Sequence, residues 1–207
     1  MNNLAFRGAL TLAGAALCAL PVFGQDGLYA PSVPDDAALV RVVNLHSRDE
    51  SPRLDLGRER FAALPAGEVG AYRPVPPGIY ILGGAGGVEF TPESGQFYSI
   101  VADRDKELRV VTDEVHADPA RAQLVLYNFS DSSADLTAVL GETMVLEGVE
   151  PYRSEAITVN AITVELSVRV AGDERLRREF DLQRGESYGF FVGSEQVVVA
   201  AATVSSE

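Results

Sequence analysis

The chain has no tryptophan and one cysteine, Cys18, in 207 residues. Without Trp, a flat platform for stacking sugar rings would have to come from Tyr or Phe. A single Cys permits no intramolecular disulfide, so burial alone must hold the fold. Histidine is scarce too. His46 and His116 are the two present, with no Cys or second His at ligand spacing, so no metal site is expected. Basic residues are few: 17 Lys and Arg stand against 30 Asp and Glu, a formal charge of −13. That balance excludes binding of nucleic acid or anionic lipid through a basic face, and it opposes long-range attraction to any polyanion. An acidic surface also keeps a protein soluble. No uncharged apolar run is long enough for a membrane span, which needs ~18 or more residues. Beyond the N-terminus no segment sustains a period of 3.6.

Residues 1–24 read as an export signal. Arg7 supplies the positive charge, Ala9 to Leu20 the uncharged apolar run, and Val22, Phe23 and Gly24 a small-residue cleavage site. Leu17 stands where a lipoprotein signal needs a small residue, so Cys18 is not expected to carry lipid. Export follows for the mature chain. Removing Arg7 with the signal leaves 16 basic against 30 acidic residues, a charge of −14.

What is present is a repeat. Asn44-Leu45 and Leu56-Gly57 recur as Asn128-Phe129 and Leu140-Gly141, at an offset of 84 residues. Phe90, Gly95 and Tyr98 recur as Phe180, Gly185 and Tyr188, at an offset of 90. Two copies of about eighty residues indicate a duplicated small domain rather than a solenoid. Residues common to both copies are then scaffold before they are site.

The copies are built of strands. Ile162, Val164, Leu166, Val168 and Val170 alternate with Thr163, Glu165, Ser167 and Arg169, the period of a strand with one buried face. Val40, Val42 and Asn44 alternate around Arg41, and Leu124, Leu126 and Asn128 repeat the arrangement. Turn residues recur about every ten positions, among them Gly67, Gly78, Gly95, Gly148, Gly172 and Gly185. The expected fold is all-β: two tandem β-sandwich domains from an internal duplication. Their expected limits are 36–112 and 121–207, after the signal and a lead-in over 25–35. Residues 113–120, charged and interrupted by Pro119, read as the linker.

Candidate chemistry is sparse. Gly185-Glu186-Ser187-Tyr188-Gly189 matches the G-x-S-x-G elbow, which needs a strand-turn-helix context and a later His. No His follows Ser187, Phe190-Phe191-Val192 continues a strand, and Phe97 takes the place of Ser187 in the first copy. Ser187 therefore reads as structural, and no catalytic residue or cofactor is expected. The Gly83 to Gly87 cluster lacks the Lys-Ser/Thr and helix of a phosphate loop. Asp103, Asp105 and Glu107 are interleaved by Arg104 and Lys106 and lack the Gly of an EF-hand. Arg175, Arg177 and Arg178 make the main basic concentration; Arg175 and Arg177 share a strand face and could grip a carboxylate. Leu28 and Tyr29, between Gly27 and Pro31, are either the candidate anchor for a partner protein or an apolar plug at the edge of the first domain.

Taken in order, several segments resemble a known family, the periplasmic alginate O-acetylation protein AlgF. They are Leu28-Tyr29-Ala30-Pro31 with Pro34, Leu39-Val40-Arg41-Val42 with Asn44, Phe97-Tyr98-Ser99-Ile100-Val101, Leu124-Val125-Leu126-Tyr127-Asn128 with Ser130-Asp131, Val159-Asn160 before the Ile162 strand, and Leu182-Gln183-Arg184-Gly185-Glu186. The family more often carries Gly at the place of Ala30. The resemblance implies an exported, non-catalytic accessory protein required for acetylating mannuronate residues of alginate. Its implied partners are a membrane-bound O-acyltransferase and periplasmic SGNH-type acetyltransferases. An adaptor that holds these enzymes together is the expected function. The alternative is a carbohydrate-binding module presenting alginate, marked by Arg175, Arg177 and Arg178 lining an open groove with an exposed Tyr.

Overall fold

The computed structural model describes residues 36–83, 87–103 and 107–203, and within them the chain is all-β, with no helix. Strands β1 (Ala38–Asn44), β4 (Arg73–Val75), β7 (Phe97–Ala102) and β8 (Leu108–Asp113) form one sheet in the order β4-β1-β7-β8. Two hairpins, β2 (Leu54–Leu56) with β3 (Glu59–Phe61) and β5 (Tyr80–Leu82) with β6 (Val88–Phe90), contribute to the same core. A second sheet runs β12 (Arg153–Val159), β9 (Ala122–Asn128), β15 (Ser187–Val192), β16 (Val197–Ala201). A third runs β11 (Thr143–Val149), β10 (Ala134–Ala138), β13 (Thr163–Val170), β14 (Asp173–Asp181). The second and third sheets enclose one apolar core between them, a sandwich-like arrangement.

The sequence offsets reappear as geometry. β1 pairs with β7 in parallel, Leu39 opposite Phe97, and β9 pairs with β15 in parallel, Gln123 opposite Ser187. Each member of the second pair lies 84 or 90 residues beyond its counterpart in the first. The Asn44 Nδ2–H donates to the carbonyls of Asp49, Leu64 and Pro65, while its Oδ1 accepts the His46 N–H. Asn128 does the same work with Ser132, Val149 and Ser130. Both side chains satisfy backbone groups of a chain leaving the sheet, as short amides do at turns. Tyr98 and Tyr188 each accept a backbone N–H from five residues earlier, Glu93 and Gln183. Gly95 and Gly185 take φ of 75° and 77°, where a Cβ would be strained.

Three cores form. Val40, Val42, Leu56 and Ile100 belong to the first, and Leu124, Leu126, Leu136 and Phe190 to the second. A third joins Val43, Leu45 and Val101 to Val125, Tyr127, Phe129 and Phe191, so the first and second sheets pack face to face. β1 and β9 are buried on both faces along their whole length. Burial of a side chain as large as Leu126 contributes about 1.5–3 kcal/mol.

Two local expectations change. β13 starts at Thr163, and Ile162 lies exposed ahead of it rather than in the alternating buried row. Asp113, the first residue of the expected linker, is the last of β8 and is buried.

Candidate functional site

Where the first two sheets meet, a cavity of about 220 Å³ opens at the start of β7 and β15. Phe97 and Ser187, equivalent at the offset of 90, both line it. Arg41, Tyr72 and Asp113 reach it from the first half, and Tyr127, Glu186 and Ala202 from the second.

Beside the cavity lies a buried polar cluster. The Arg41 Nε–H donates to Ser99 Oγ at 2.8 Å, and an Nη2–H reaches the Tyr127 hydroxyl at 3.5 Å. Arg41 Nη2 stands 3.8 Å from Asp113 Oδ2, each side chain 3% exposed. The hydroxyls of Tyr72 and Ser99 both donate to that carboxylate oxygen at 2.7 Å. Asp113 Oδ1 is buried and has no donor among the described residues. The guanidinium lies over the rings of Tyr72 (4.5 Å) and Phe191 (5.0 Å), and Tyr127 stacks on Phe191 at 4.4 Å. Burial, and next the negative charge of Asp113, push the Tyr72 and Tyr127 hydroxyls well above the usual tyrosine range, so both stay neutral.

Ser187, His116 and Asp113 all line this one cavity. They are the residue types of a nucleophilic triad, but their bonds run elsewhere. The Ser187 hydroxyl donates to the Gln123 side-chain oxygen at 2.8 Å, an amide that cannot act as its base. The His116 Nε2–H donates to the Arg121 carbonyl at 2.9 Å. Asp113 is held by Tyr72, Ser99 and Arg41. Ser187 opens strand β15, and no helix follows it.

The other expected residues lie apart. Leu28 and Tyr29 fall outside the described residues. Arg175 and Arg177 are exposed on β14, and Arg177 grips Glu165 through two bonds of 2.9 and 3.1 Å. That pairing lowers the Glu165 pKa through the Arg177 hydrogen bond first, and raises that of Arg177 likewise. Arg178 lies over the Phe180 ring at 4.5 Å. A groove of about 270 Å³ on this sheet takes Arg177 into its wall, but neither Arg175 nor Arg178, and no Tyr lines it. Among the described residues no three His, Cys, Asp or Glu side chains are grouped to hold a metal.

Sequence reasoning missed Arg41 and Asp113. Alternation around Arg41 implied one buried face; the structure buries the other as well. One signal existed: at the offset of 84 Arg41 corresponds to Val125, an apolar residue that belongs to the third core.

Comparison with known proteins adds the following. A family model described as "Alginate O-acetyl transferase AlgF" matches residues 9–189. Comparison with curated proteins finds no match. A solved structure, described as the C-terminal domain of AlgF from P. aeruginosa, is similar at 22% identity over 40% of this chain and 97% of that one, with a TM-score of 0.35. At that score the likeness carries no structural argument.

Proposed function

The chain belongs to the AlgF family of alginate O-acetylation proteins, and from that membership we propose that it is a non-catalytic adaptor, which holds the acetylation enzymes together in the periplasm. One observation carries the reading. The Ser187 hydroxyl, the best apparent nucleophile, is bound to the Gln123 amide rather than to a base. Export through residues 1–24 belongs to this reading, as do two tandem sandwich domains at 36–112 and 121–207 from an internal duplication. The matching pairing registers and the paired roles of Asn44 and Asn128 support the duplication.

The partners in this reading are the membrane-bound O-acyltransferase and the SGNH-type acetyltransferases. The carbohydrate-binding alternative has less support, since Arg175 and Arg178 do not line the groove that Arg177 borders. The test is capture of the tagged full chain from cells that express those enzymes. Retention of an acetylation enzyme, with no retention of mannuronate oligomers, is expected. Tight binding of oligomannuronate with no enzyme retained would replace the adaptor with the carbohydrate-binding module.

A further inference from the structure

Leu56 and Leu140 stand at matching places in the repeat, yet one is 1% exposed and the other 91%. The cause is register. β2 and β3 pair out to Leu56 opposite Glu59, across the two-residue turn Gly57-Arg58. β10 and β11 pair with two shifts, between Ala134 and Leu136 and between Leu136 and Thr137, and their ladder ends at Ala138 opposite Thr143. Irregularities of this kind re-aim side chains. Val139 to Glu142 are left outside the ladder, and Leu140 leaves the core with them.

The tip is a closed turn. The Glu142 N–H donates to the Val139 carbonyl at 3.2 Å, and Gly141 takes φ 84° at the third position, as a type II turn requires. Glu142 itself sits at φ 49°, a region unfavourable for a side chain. Leu140 is thus held at the corner of an ordered turn. Met144, 42% exposed, follows on β11. Val139, Glu142 and Met144 also border the groove of about 270 Å³ on the same sheet. Of the two cations in that groove, Arg177 binds Glu165; Arg169 stands opposite Glu174 in the strand register, and the Glu174 carboxylate accepts the Ser167 hydroxyl. The surrounding half is acidic, with 14 Asp and Glu against 7 Arg over residues 121–207.

We propose that the β10–β11 turn is a docking surface, with Leu140 as its anchor and Met144 beside it, for a protein whose apolar pocket is bordered by Lys or Arg. Charge complementarity selects that occupant. A second copy of this chain would bring two acidic faces together. The inference rests on the adaptor reading and gives it a surface.

The test measures binding of the full chain to a purified SGNH-type acetyltransferase of the same system. Leu140→Asp and Leu140→Ser should each weaken binding by about tenfold or more, as loss of a hot-spot residue does. Their melting temperatures should match wild type, because the side chain is already in solvent. Leu140→Met should retain most of the affinity, and added salt should weaken the wild-type complex. If wild type binds and Leu140→Asp binds equally well, the docking surface is refuted while the adaptor reading stands. If wild type binds none of the acetylation enzymes, both fall. If sedimentation shows that wild type pairs with itself and Leu140→Asp does not, the occupant is a second copy and the proposal is overturned.

Discussion

Arg41 of β1 and Asp113 of β8 face each other at 3.8 Å, both nearly sealed from water. The ion pair lies within the first half, but Arg41 is also read by the second. It reaches the Tyr127 hydroxyl and covers the Phe191 ring. One buried guanidinium therefore bonds to both halves, beside the Gln196 side chain that donates to the Leu45 and His46 carbonyls and the Tyr72 N–H that donates to the Thr203 carbonyl. A hydrogen-bonded charge in such a place specifies geometry more than it adds stability.

Breaking that cluster from either side leaves a buried charge uncompensated. Arg41→Ala and Asp113→Ala should each lower stability by about 3–5 kcal/mol. The double change to Ala at both positions should cost less than the sum of the two. Urea denaturation of the full chain, read as a double-mutant cycle, checks this. Additive losses would mean that the two side chains act independently.

Alkaline titration should resolve the two raised tyrosines. Neutral Tyr72 and Tyr127 are favoured by the folded state, so their contribution is complete below pH ~10 and is lost as pH rises beyond it. Of the seven tyrosines, these two should form tyrosinate only as the protein unfolds. Ultraviolet absorbance followed beside circular dichroism measures it. Titration of every tyrosine near pH 10 in a folded protein would contradict the buried cluster.

Ser187→Ala removes one hydrogen bond to Gln123 and should cost about 1 kcal/mol. Alginate acetylation in cells producing the variant should stay near the wild-type level. Abolished acetylation, with the variant folded and abundant, would make Ser187 catalytic.

Each half has a core of its own and β8 ends at Asp113, so fragments spanning 36–113 and 120–207 should each give dispersed amide signals. Both should be less stable than the full chain, because Val43, Val101, Tyr127 and Phe191 lose their cover. Chemical-shift dispersion and urea midpoints of the fragments test this. Fragments as stable as the whole would show that the shared core contributes nothing.

Asn44 and Asn128 make matching bonds, so substituting either should have a similar effect. Asn44→Ala and Asn128→Ala each strand backbone carbonyls beside a sheet, at about 1–3 kcal/mol for an unsatisfied buried group. Thermal unfolding compares the two. A large loss in one and none in the other would set the copies apart.

The all-β class was legible in the residues, as were the offsets that β1–β7 and β9–β15 share in their pairing. Period-two alternation, turn glycines and the offsets of 84 and 90 are local or self-referring signals, and the backbone has little freedom to contradict them. On β13 Leu166, Val168 and Val170 are buried as the alternation requires, but Ser167 between them is buried as well, and Ile162 lies exposed where the strand has not yet begun. Asp113 read as linker because a carboxylate among charged neighbours looks solvated; its partners lie 14 and 41 residues earlier, at Ser99 and Tyr72. Whether the Arg41 face meets water or another sheet depends on packing between distant segments, which alternation along one strand does not record. Leu56 and Leu140 carry the same local pattern, and their opposite fates come from a register shift against a neighbouring strand. Registers and sheet-to-sheet contacts are settled by which surfaces bury together, and that outcome is written across the whole chain rather than in any one of its strands.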